Sequence, residues 1–209
     1  MKFPNRGLYA ITQPENKSIA QVLRDVEAAL QGGAVVVQYR DKNPIDAHSL
    51  ASQLLQLCHR YHAPLLINDS IELALAVGAD GVHLGRDDGD IETARQRLGA
   101  GAIIGVSCYN DVGKAQAAVA AGADYVAFGR FFPSGSKPLA APAQIETLQR
   151  ARQLLDLPIV AIGGILPENA GQLLAAGADL LAVIGGIFDN EPQSSARAYQ
   201  ALFNNPHQE

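Results

Sequence analysis

The amino-acid sequence predicts an α/β fold, a single (β/α)₈ barrel over residues 1–209, because short apolar runs alternate with longer helical stretches. Each run is rich in Val, Ile, Leu or aromatic residues, as in strands that are buried on both faces. The runs are residues 7–12, 34–40, 63–69, 81–85, 102–107, 125–129, 157–164 and 180–186.

The stretches between the runs have the spacing of amphipathic helices. SIAQVLRDVEAALQGG and DVGKAQAAVAAGA, for example, place apolar residues at i, i+3, i+4 and i+7. A weak internal repeat accompanies this alternation in QGGAVVVQ, AVGADGVHL, AAGADYVAF and AAGADLLAV. Each phrase puts a glycine at the end of a helix just before a strand, where a positive φ is often needed.

Apolar strands alternating with helices predict a parallel sheet that is covered on both faces. Eight such units in a chain of 209 residues favour a closed barrel, and an open doubly wound sheet is the alternative. No linker or low-complexity segment divides the chain, so we expect one domain. The active sites of such barrels lie at the C-terminal ends of the strands, and the strand ends therefore hold the candidate residues.

The composition narrows the classes of partner. A net charge of −5, a pI near 5.5 and the lack of a basic run argue against a nucleic-acid or anionic-membrane surface. Two cysteines cannot form a disulfide framework or a zinc site by themselves. MKFPNRGLYAIT lacks the apolar stretch of a signal peptide, and no apolar run is long enough to span a membrane. We expect a soluble cytoplasmic protein with small-molecule partners, and a homo-oligomer is compatible with this composition.

The second strand ends in polar residues that share a face. Side chains alternate along a strand. One face therefore carries Val36, Gln38, Arg40 and Lys42, and the other carries Val35, Val37 and Tyr39. An apolar face that ends in an amide and two cations indicates either a strand that reaches the surface or a binding site for an anion.

Cationic side chains from other loops could contribute to the same anion-binding site. Arg40, Lys42 and Lys137 lie on different loops of one predicted barrel mouth. Arginine offers a planar fork to phosphate and lysine a point charge, so the three together would suit a diphosphate. The alternative for each is an ordinary surface charge.

Two carboxylates follow neighbouring strands and predict a cation site. Asp69 ends the third strand, and Asp88 lies in the loop after the fourth. Paired carboxylates suit Mg²⁺, which also takes water and phosphate oxygens. The alternative is that both cap the helices that follow them, as Asp often does.

Glycine pairs and a serine loop predict a second anion site. Gly163-Gly164 and Gly185-Gly186 end the seventh and eighth strands, whose loops often bind phosphate in these barrels. The loop FFPSGSKP after the sixth strand adds two hydroxyls. Two anion sites at one mouth suit an enzyme that joins two phosphorylated molecules.

Four motifs, QYRDK, INDS, GVHLGRDD and SGSKP, occur in this order along the chain. Together they resemble the thiamine-phosphate synthase family over nearly the whole chain. QYRDK is similar to its Q-x-R-x-K, INDS to its I-N-D, GVHLGRDD to its GVHLGQxD and SGSKP to its T-x-T-K-P. The resemblance implies a transferase that condenses 4-amino-2-methyl-5-hydroxymethylpyrimidine diphosphate with a thiazole phosphate or its carboxylated form. Thiamine phosphate and diphosphate would be the products, with Mg²⁺ as the cofactor.

The resemblance also implies roles for individual residues. The pyrimidine diphosphate would be held by Gln38, Tyr39, Arg40, Asp41, Lys42, Asn68, Ser107 and Lys137. Of these, Arg40, Ser107 and Lys137 would be catalytic. Magnesium would bind Asp69 and Asp88, and the thiazole phosphate would contact Ser134, Gly135, Ser136, Gly164, Ile184 and Gly185.

The chain departs from the family pattern at several positions. Arg86 replaces a usual Gln, Ser134 and Ser136 replace Thr, Gly185 replaces a common Ser, and Tyr109 stands where many relatives have His. A thiazole tautomerase-like isomerase, the nearest rival, relies on that His and loses parts of the diphosphate grip. A non-catalytic phosphate-ligand sensor is the alternative of another class. His83 is interpreted as a hydrogen-bonded core histidine and Cys108 as a structural thiol.

Overall fold

A computed structural model of the protein describes residues 1–85, 90–133 and 142–204. Eight parallel strands close into a barrel in chain order, which confirms the predicted TIM-barrel fold and excludes the open sheet. The strands are Gly7–Ile11 (β1), Ala34–Tyr39 (β2), Leu65–Asn68 (β3), Gly81–Leu84 (β4), Ile103–Tyr109 (β5), Tyr125–Gly129 (β6), Ile159–Ile162 (β7) and Leu180–Val183 (β8).

Helices follow the strands and cover the outside of the barrel. Within the described ranges they are Ile19–Gln31 (α1), Ala47–Arg60 (α2), Ile71–Val77 (α3), Ile91–Leu98 (α4), Val112–Ala120 (α5), Ile145–Leu154 (α6), Pro167–Ala175 (α7), Gly185–Phe188 (α8) and Pro192–Asn204 (α9). In this part of the chain no helix has the length and apolarity that a bilayer-spanning segment needs.

The core has two parts because each strand buries both faces. One hydrophobic cluster fills the layer between strands and helices, and a smaller one fills the barrel interior around Tyr9, Val36 and Tyr125. The predicted alternation along β2 is confirmed for Val36 and Gln38, which face inward, and for Val37 and Tyr39, which face outward. Val35 was predicted to face outward, and this was wrong. It lies where the pairing of β1 with β2 shifts register, and it packs against the interior cluster.

The repeated Gly-Ala-Asp phrase has a structural role that its glycine alone did not predict. Its aspartates accept a hydrogen bond from a backbone N–H of the preceding strand. Asp80 accepts from Leu65 at 2.9 Å, Asp124 from Ile104 at 2.8 Å, and Asp179 from Ile159 at 2.8 Å. His59, Arg95 and Arg152 lie against the same three carboxylates at 2.9, 2.7 and 3.0 Å. Each phrase therefore joins two neighbouring strands at the end of the barrel where the strands begin.

We expect Asp124→Ala to lower the free energy of unfolding by about 2 kcal/mol, because it removes a charged acceptor from the Ile104 N–H and from Arg95. Urea denaturation measures the change. Asp156→Ala removes an exposed aspartate and is the control, expected to change stability by less than about 0.5 kcal/mol. Equal effects of the two substitutions would contradict the role of Asp124.

Candidate active site

A cavity of about 660 Å³ opens at the C-terminal ends of the strands. All eight strands contribute to its wall, since parallel strands in a closed barrel all end at one rim. Its size is in the range of small-molecule sites. The predicted residues that it brings together are Gln38, Arg40, Lys42, Asn68, Ser107, Gly164, Ile184 and Gly185.

Five of the predicted site residues fall in the gaps between the described ranges. Asp88, Ser134, Gly135, Ser136 and Lys137 lie outside the described residues, as does Arg86.

The backbone of Arg40 is held by a threonine that the sequence analysis missed. Thr12, which directly follows β1 and is 2% exposed, donates its hydroxyl to the Arg40 carbonyl at 3.0 Å. The same oxygen accepts the Arg40 N–H at 2.9 Å. These two hydrogen bonds to the Arg40 backbone fix the point where β2 leaves the barrel. The Arg40 side chain lines the cavity.

Two residues of the QYRDK segment lie away from the cavity wall. Tyr39 is 3% exposed and packs in the outer hydrophobic cluster, where burial, and after it the neighbouring Asp41 carboxylate, raises its pKa. The Asp41 carboxylate accepts the Asn43 N–H at 2.9 Å and so closes a local turn. These positions do not support the predicted substrate contacts of Tyr39 and Asp41. Alternation explains Tyr39, because its neighbours Gln38 and Arg40 point the other way.

Asp69 does not cap the helix that follows β3. Ser70 is the residue that caps α3, through a hydrogen bond from Leu73 N–H at 3.1 Å, so the capping alternative for Asp69 is wrong. Asp69 is exposed at the end of β3 with a φ of 63°. A left-handed conformation at a non-glycine residue costs of order 1 kcal/mol.

The carboxylate of Asp69 is the kind of ligand that a hard cation takes. The Asn68 amide contacts the Asp69 carboxylate at 2.5 Å, and Asn68 lines the cavity. Carboxylate and water oxygens are what Mg²⁺ prefers. The described ranges contain no cluster of three or more His, Cys, Asp or Glu residues that could hold a metal, and Asp88 falls in the gap at 86–89. Asp69 thus supplies one candidate ligand.

The opposite wall is formed by the backbone after β7 and β8. Gly164 has a φ of 61°, and a Cβ there would lie 2.2 Å from the Pro133 carbonyl oxygen, so only glycine fits. Asn169 donates to the Gly164 carbonyl at 3.1 Å and accepts the Leu166 N–H at 2.9 Å. The turn after β7 is therefore held in one conformation against the loop after β6.

Gly185 starts a helix instead of ending a strand. β8 stops at Val183, and the short helix α8 begins at Gly185, which corrects the predicted strand end at 185–186. A Cβ at position 185 would lie 2.3 Å from Asp189 Oδ2. The Asp189 carboxylate also accepts from the Gln13 amide at 2.9 Å, and both residues line the cavity. The absence of a side chain at Gly185 leaves room for that pair.

Other wall residues escaped the sequence analysis or were interpreted only as core. Arg130 directly follows β6, and its position after a strand end is the feature that could have identified it. His83 is 8% exposed and hydrogen-bonded to Tyr125 and Ser107, which confirms the core interpretation, and it also lines the cavity. Cys108 is fully buried, and burial raises the pKa of its thiol to about 12, as expected of a structural cysteine.

The fold and the site define a class of protein: a TIM-barrel enzyme whose mouth combines cations, amides and glycine-rich turns around a cavity of small-molecule size. Residues 8–187 match the family described as thiamine monophosphate synthase. The thiamine-phosphate synthase of Aromatoleum aromaticum is 50% identical over 202 residues, which are 95% of this chain and 97% of that protein. The thiamine-phosphate synthase of Nitrosococcus oceani is 52% identical over 201 residues, covering 95% and 93%.

A solved structure agrees with the sequence relatives. The thiamine phosphate pyrophosphorylase from Pyrococcus furiosus superposes with a TM-score of 0.86 at 33% identity, covering 96% of each chain. The chain therefore belongs to the thiamine-phosphate synthase family, and it is a transferase of thiamine biosynthesis.

We expect Thr12→Val to weaken the binding of inorganic diphosphate about fivefold to tenfold, because the Arg40 N–H and carbonyl lose their shared partner, which is a loss of about 1–2 kcal/mol. Isothermal titration calorimetry measures the affinity. Thr147→Val is the control, since it removes another buried hydroxyl away from the cavity wall. Unchanged affinity in a folded Thr12→Val protein would show that the clamp on Arg40 is dispensable.

Proposed function

We propose that the protein condenses 4-amino-2-methyl-5-hydroxymethylpyrimidine diphosphate with 4-methyl-5-(2-phosphoethyl)thiazole, or its 2-carboxy form, to give thiamine phosphate and diphosphate. The 2-carboxy form would also release carbon dioxide. The observation that carries this proposal is the convergence of two unlike surfaces on one cavity. Arg40, Lys42 and Asn68 line one part of it, and Gly164 and Gly185 line another. Membership of the family supports the same reaction class.

The proposed reaction is a dissociative substitution at the methylene carbon of the pyrimidine. The bond from that carbon to the diphosphate oxygen breaks, and the electron pair leaves with the diphosphate. The 4-amino group stabilises the cation that remains on the ring and its methylene carbon. The thiazole nitrogen then donates its lone pair to that carbon and becomes the thiazolium nitrogen of thiamine phosphate.

This reaction requires the protein to stabilise charge on the leaving group and to align the two substrates. It does not require a nucleophile from the protein. Arg40 and Lys42 would bind the oxygens of the departing diphosphate, where preorganised charge lowers the barrier. The buried thiol of Cys108, with its raised pKa, is unsuited to covalent catalysis. Fixing both substrates in one cavity removes much of the entropic cost of bringing them together.

Mg²⁺ is the proposed cofactor, and Asp69 with Asp88 would hold it. The carboxylate oxygens of Asp69 suit this ion, and its chemistry when bound would be to neutralise charge on the diphosphate. Lys137 is proposed to contact the same leaving group, and Ser134, Gly135 and Ser136 to contact the thiazole phosphate. These four residues carry their roles from the motif SGSKP.

The test combines the purified protein with both substrates and Mg²⁺, then oxidises the mixture and measures thiochrome fluorescence. Fluorescence that needs both substrates supports the condensation. Conversion of a thiazole carboxylate isomer without any pyrimidine would support the isomerase instead. Tight binding of either phosphate compound with no turnover would support the sensor.

We expect Asp69→Asn to lower the rate of thiamine phosphate formation at least about a hundredfold, since it removes a charged ligand from the proposed metal. Electron paramagnetic resonance of Mn²⁺ added to the free protein should show affinity reduced at least about tenfold, a typical loss when a metal site is perturbed.

Asp111→Asn is the matched control for this substitution. Asp111 caps α5 after the neighbouring strand β5, and Asn caps a helix about as well as Asp. Its rate and Mn²⁺ affinity should stay near those of the unmodified protein. Asp69→Asn protein with normal Mg²⁺-dependent turnover would reject the metal assignment.

A further inference from the structure

A continuous chain of hydrogen bonds crosses the interior of the barrel beneath the cavity. The Gln38 amide donates to the Tyr9 hydroxyl at 2.7 Å, and the Tyr9 and Tyr125 hydroxyls are 2.9 Å apart. Tyr125 in turn lies 2.8 Å from His83 Nδ1, and His83 Nε2 lies 2.9 Å from Ser107 Oγ. Five strands thus contribute one polar side chain each to a single file.

This hydrogen-bond chain is unusual in a core that is otherwise apolar. Within the described residues, the buried polar side chains are Thr12, Gln38, His83 and Thr147, and two of these four belong to the chain. A buried polar network that satisfies all its members orders those members, whereas a broken one is costly. Burial also raises the pKa of Tyr9 and of Tyr125, so both hydroxyls keep their protons.

Surrounding residues hold Tyr125 in place. The Phe3 ring stacks on the Tyr125 ring at a centroid distance of 4.0 Å. A Cβ at position 105 would lie 1.9 Å from the Tyr125 ring, so Gly105 leaves the space that the phenol fills. Tyr125 does not line the cavity, whereas Tyr9, Gln38, His83 and Ser107 do. The tyrosine can therefore affect a ligand only through its hydrogen-bonded neighbours.

The direction of the bonds follows from the Gln38 end. Because Gln38 Nε2 donates to Tyr9, the Tyr9 proton is directed to Tyr125 and the Tyr125 proton to His83 Nδ1. His83 then carries its proton on Nε2 and donates it to Ser107 Oγ. The opposite direction with the same Gln38 orientation would leave the Tyr9 proton without an acceptor at a side chain that is 1% exposed.

The two ends of the chain consequently have opposite hydrogen-bonding character. Gln38 Oε1 remains an acceptor, and the Ser107 hydroxyl proton remains a donor, because neither is used by another described residue. An acceptor from β2 and a donor from β5 that line the same cavity complement a 4-aminopyrimidine, whose amino group donates and whose adjacent ring nitrogen accepts. A 4-oxopyrimidine has the opposite pattern, with an acceptor oxygen beside a donor N–H.

We propose that Tyr9, Tyr125 and His83 act as positioning residues that lock Gln38 as an acceptor and Ser107 as a donor, and thereby select a 4-aminopyrimidine over a 4-oxopyrimidine. This inference rests on the proposed function for the identity of the ligand. The selection would come from coupling: an oxo ligand can be accommodated only if every bond in the chain reverses together.

The test compares the binding of 4-amino-2-methyl-5-hydroxymethylpyrimidine diphosphate with that of its 4-oxo analogue by calorimetry, without a thiazole partner. Tyr125→Phe should reduce the amino-over-oxo preference at least about tenfold, because each end can then reorient independently. Tyr9→Phe should have a similar effect. The double variant should lose no more preference than either single variant, since one cut already uncouples the ends.

Tyr199→Phe is the matched control. Tyr199 is also fully buried and donates to the Ile165 carbonyl at 2.9 Å, outside the chain. Tyr199→Phe should lose about as much stability as Tyr125→Phe, and it should keep the preference for the amino ligand over the oxo ligand. An unchanged preference in folded Tyr125→Phe and Tyr9→Phe proteins, or an equal loss in Tyr199→Phe, would overturn the proposal.

A measurement on the unmodified protein separates this proposal from the proposed function. Nitrogen-15 NMR of the histidine ring, assigned with His83→Gln, should show His83 protonated on Nε2 and bare on Nδ1. Protonation on Nδ1 would overturn the chain direction whatever the enzyme binds. If the protein bound neither pyrimidine but showed the expected His83 tautomer, the proposed function would be refuted. The inferred direction of the hydrogen-bond chain would still hold.

Discussion

Closure of the sheet is the constraint on which the rest of this structure depends. β1 pairs with β8 from Gly7 to Ala10, so the sheet has no free edge and all eight strands run in one direction. Parallel strands then end at a single rim, and side chains that are far apart in sequence meet around one cavity. Without this closure Gln38 and Ser107 would not belong to the same site.

The two rims of the barrel are stabilised differently. At the rim where strands begin, Asp80, Asp124 and Asp179 each accept a backbone N–H from a neighbouring strand and lie against a basic side chain. Charge there is used for strand pairing. At the other rim, Arg40 and Lys42 face the cavity, and a left-handed Asp69 ends β3. This division matches the general separation of stability and chemistry between the two ends of such barrels.

The interior of the barrel connects with the cavity floor through polar contacts. Most small barrels of this type are filled by apolar side chains, and Leu66, Val160 and Leu180 fill this one in that way. Tyr9 and Tyr125 are equally buried, but their hydroxyls join Gln38 to His83. A layer that packs as core can therefore also orient the groups that face a ligand, because hydrogen bonds carry direction and apolar contacts do not.

The sequence by itself determined the strands, the inward face of β2 at Gln38 and the family, because strand periodicity and short motifs are local properties of the chain. Tertiary structure alone decided that Thr12 holds Arg40, that Tyr9 reaches Tyr125 across 116 positions, and that Asp189 fills the space beside Gly185. It also decided that Ser70, not Asp69, caps α3. Such contacts depend on strand register and on the conformation at strand ends, and neither leaves a periodic trace in the sequence.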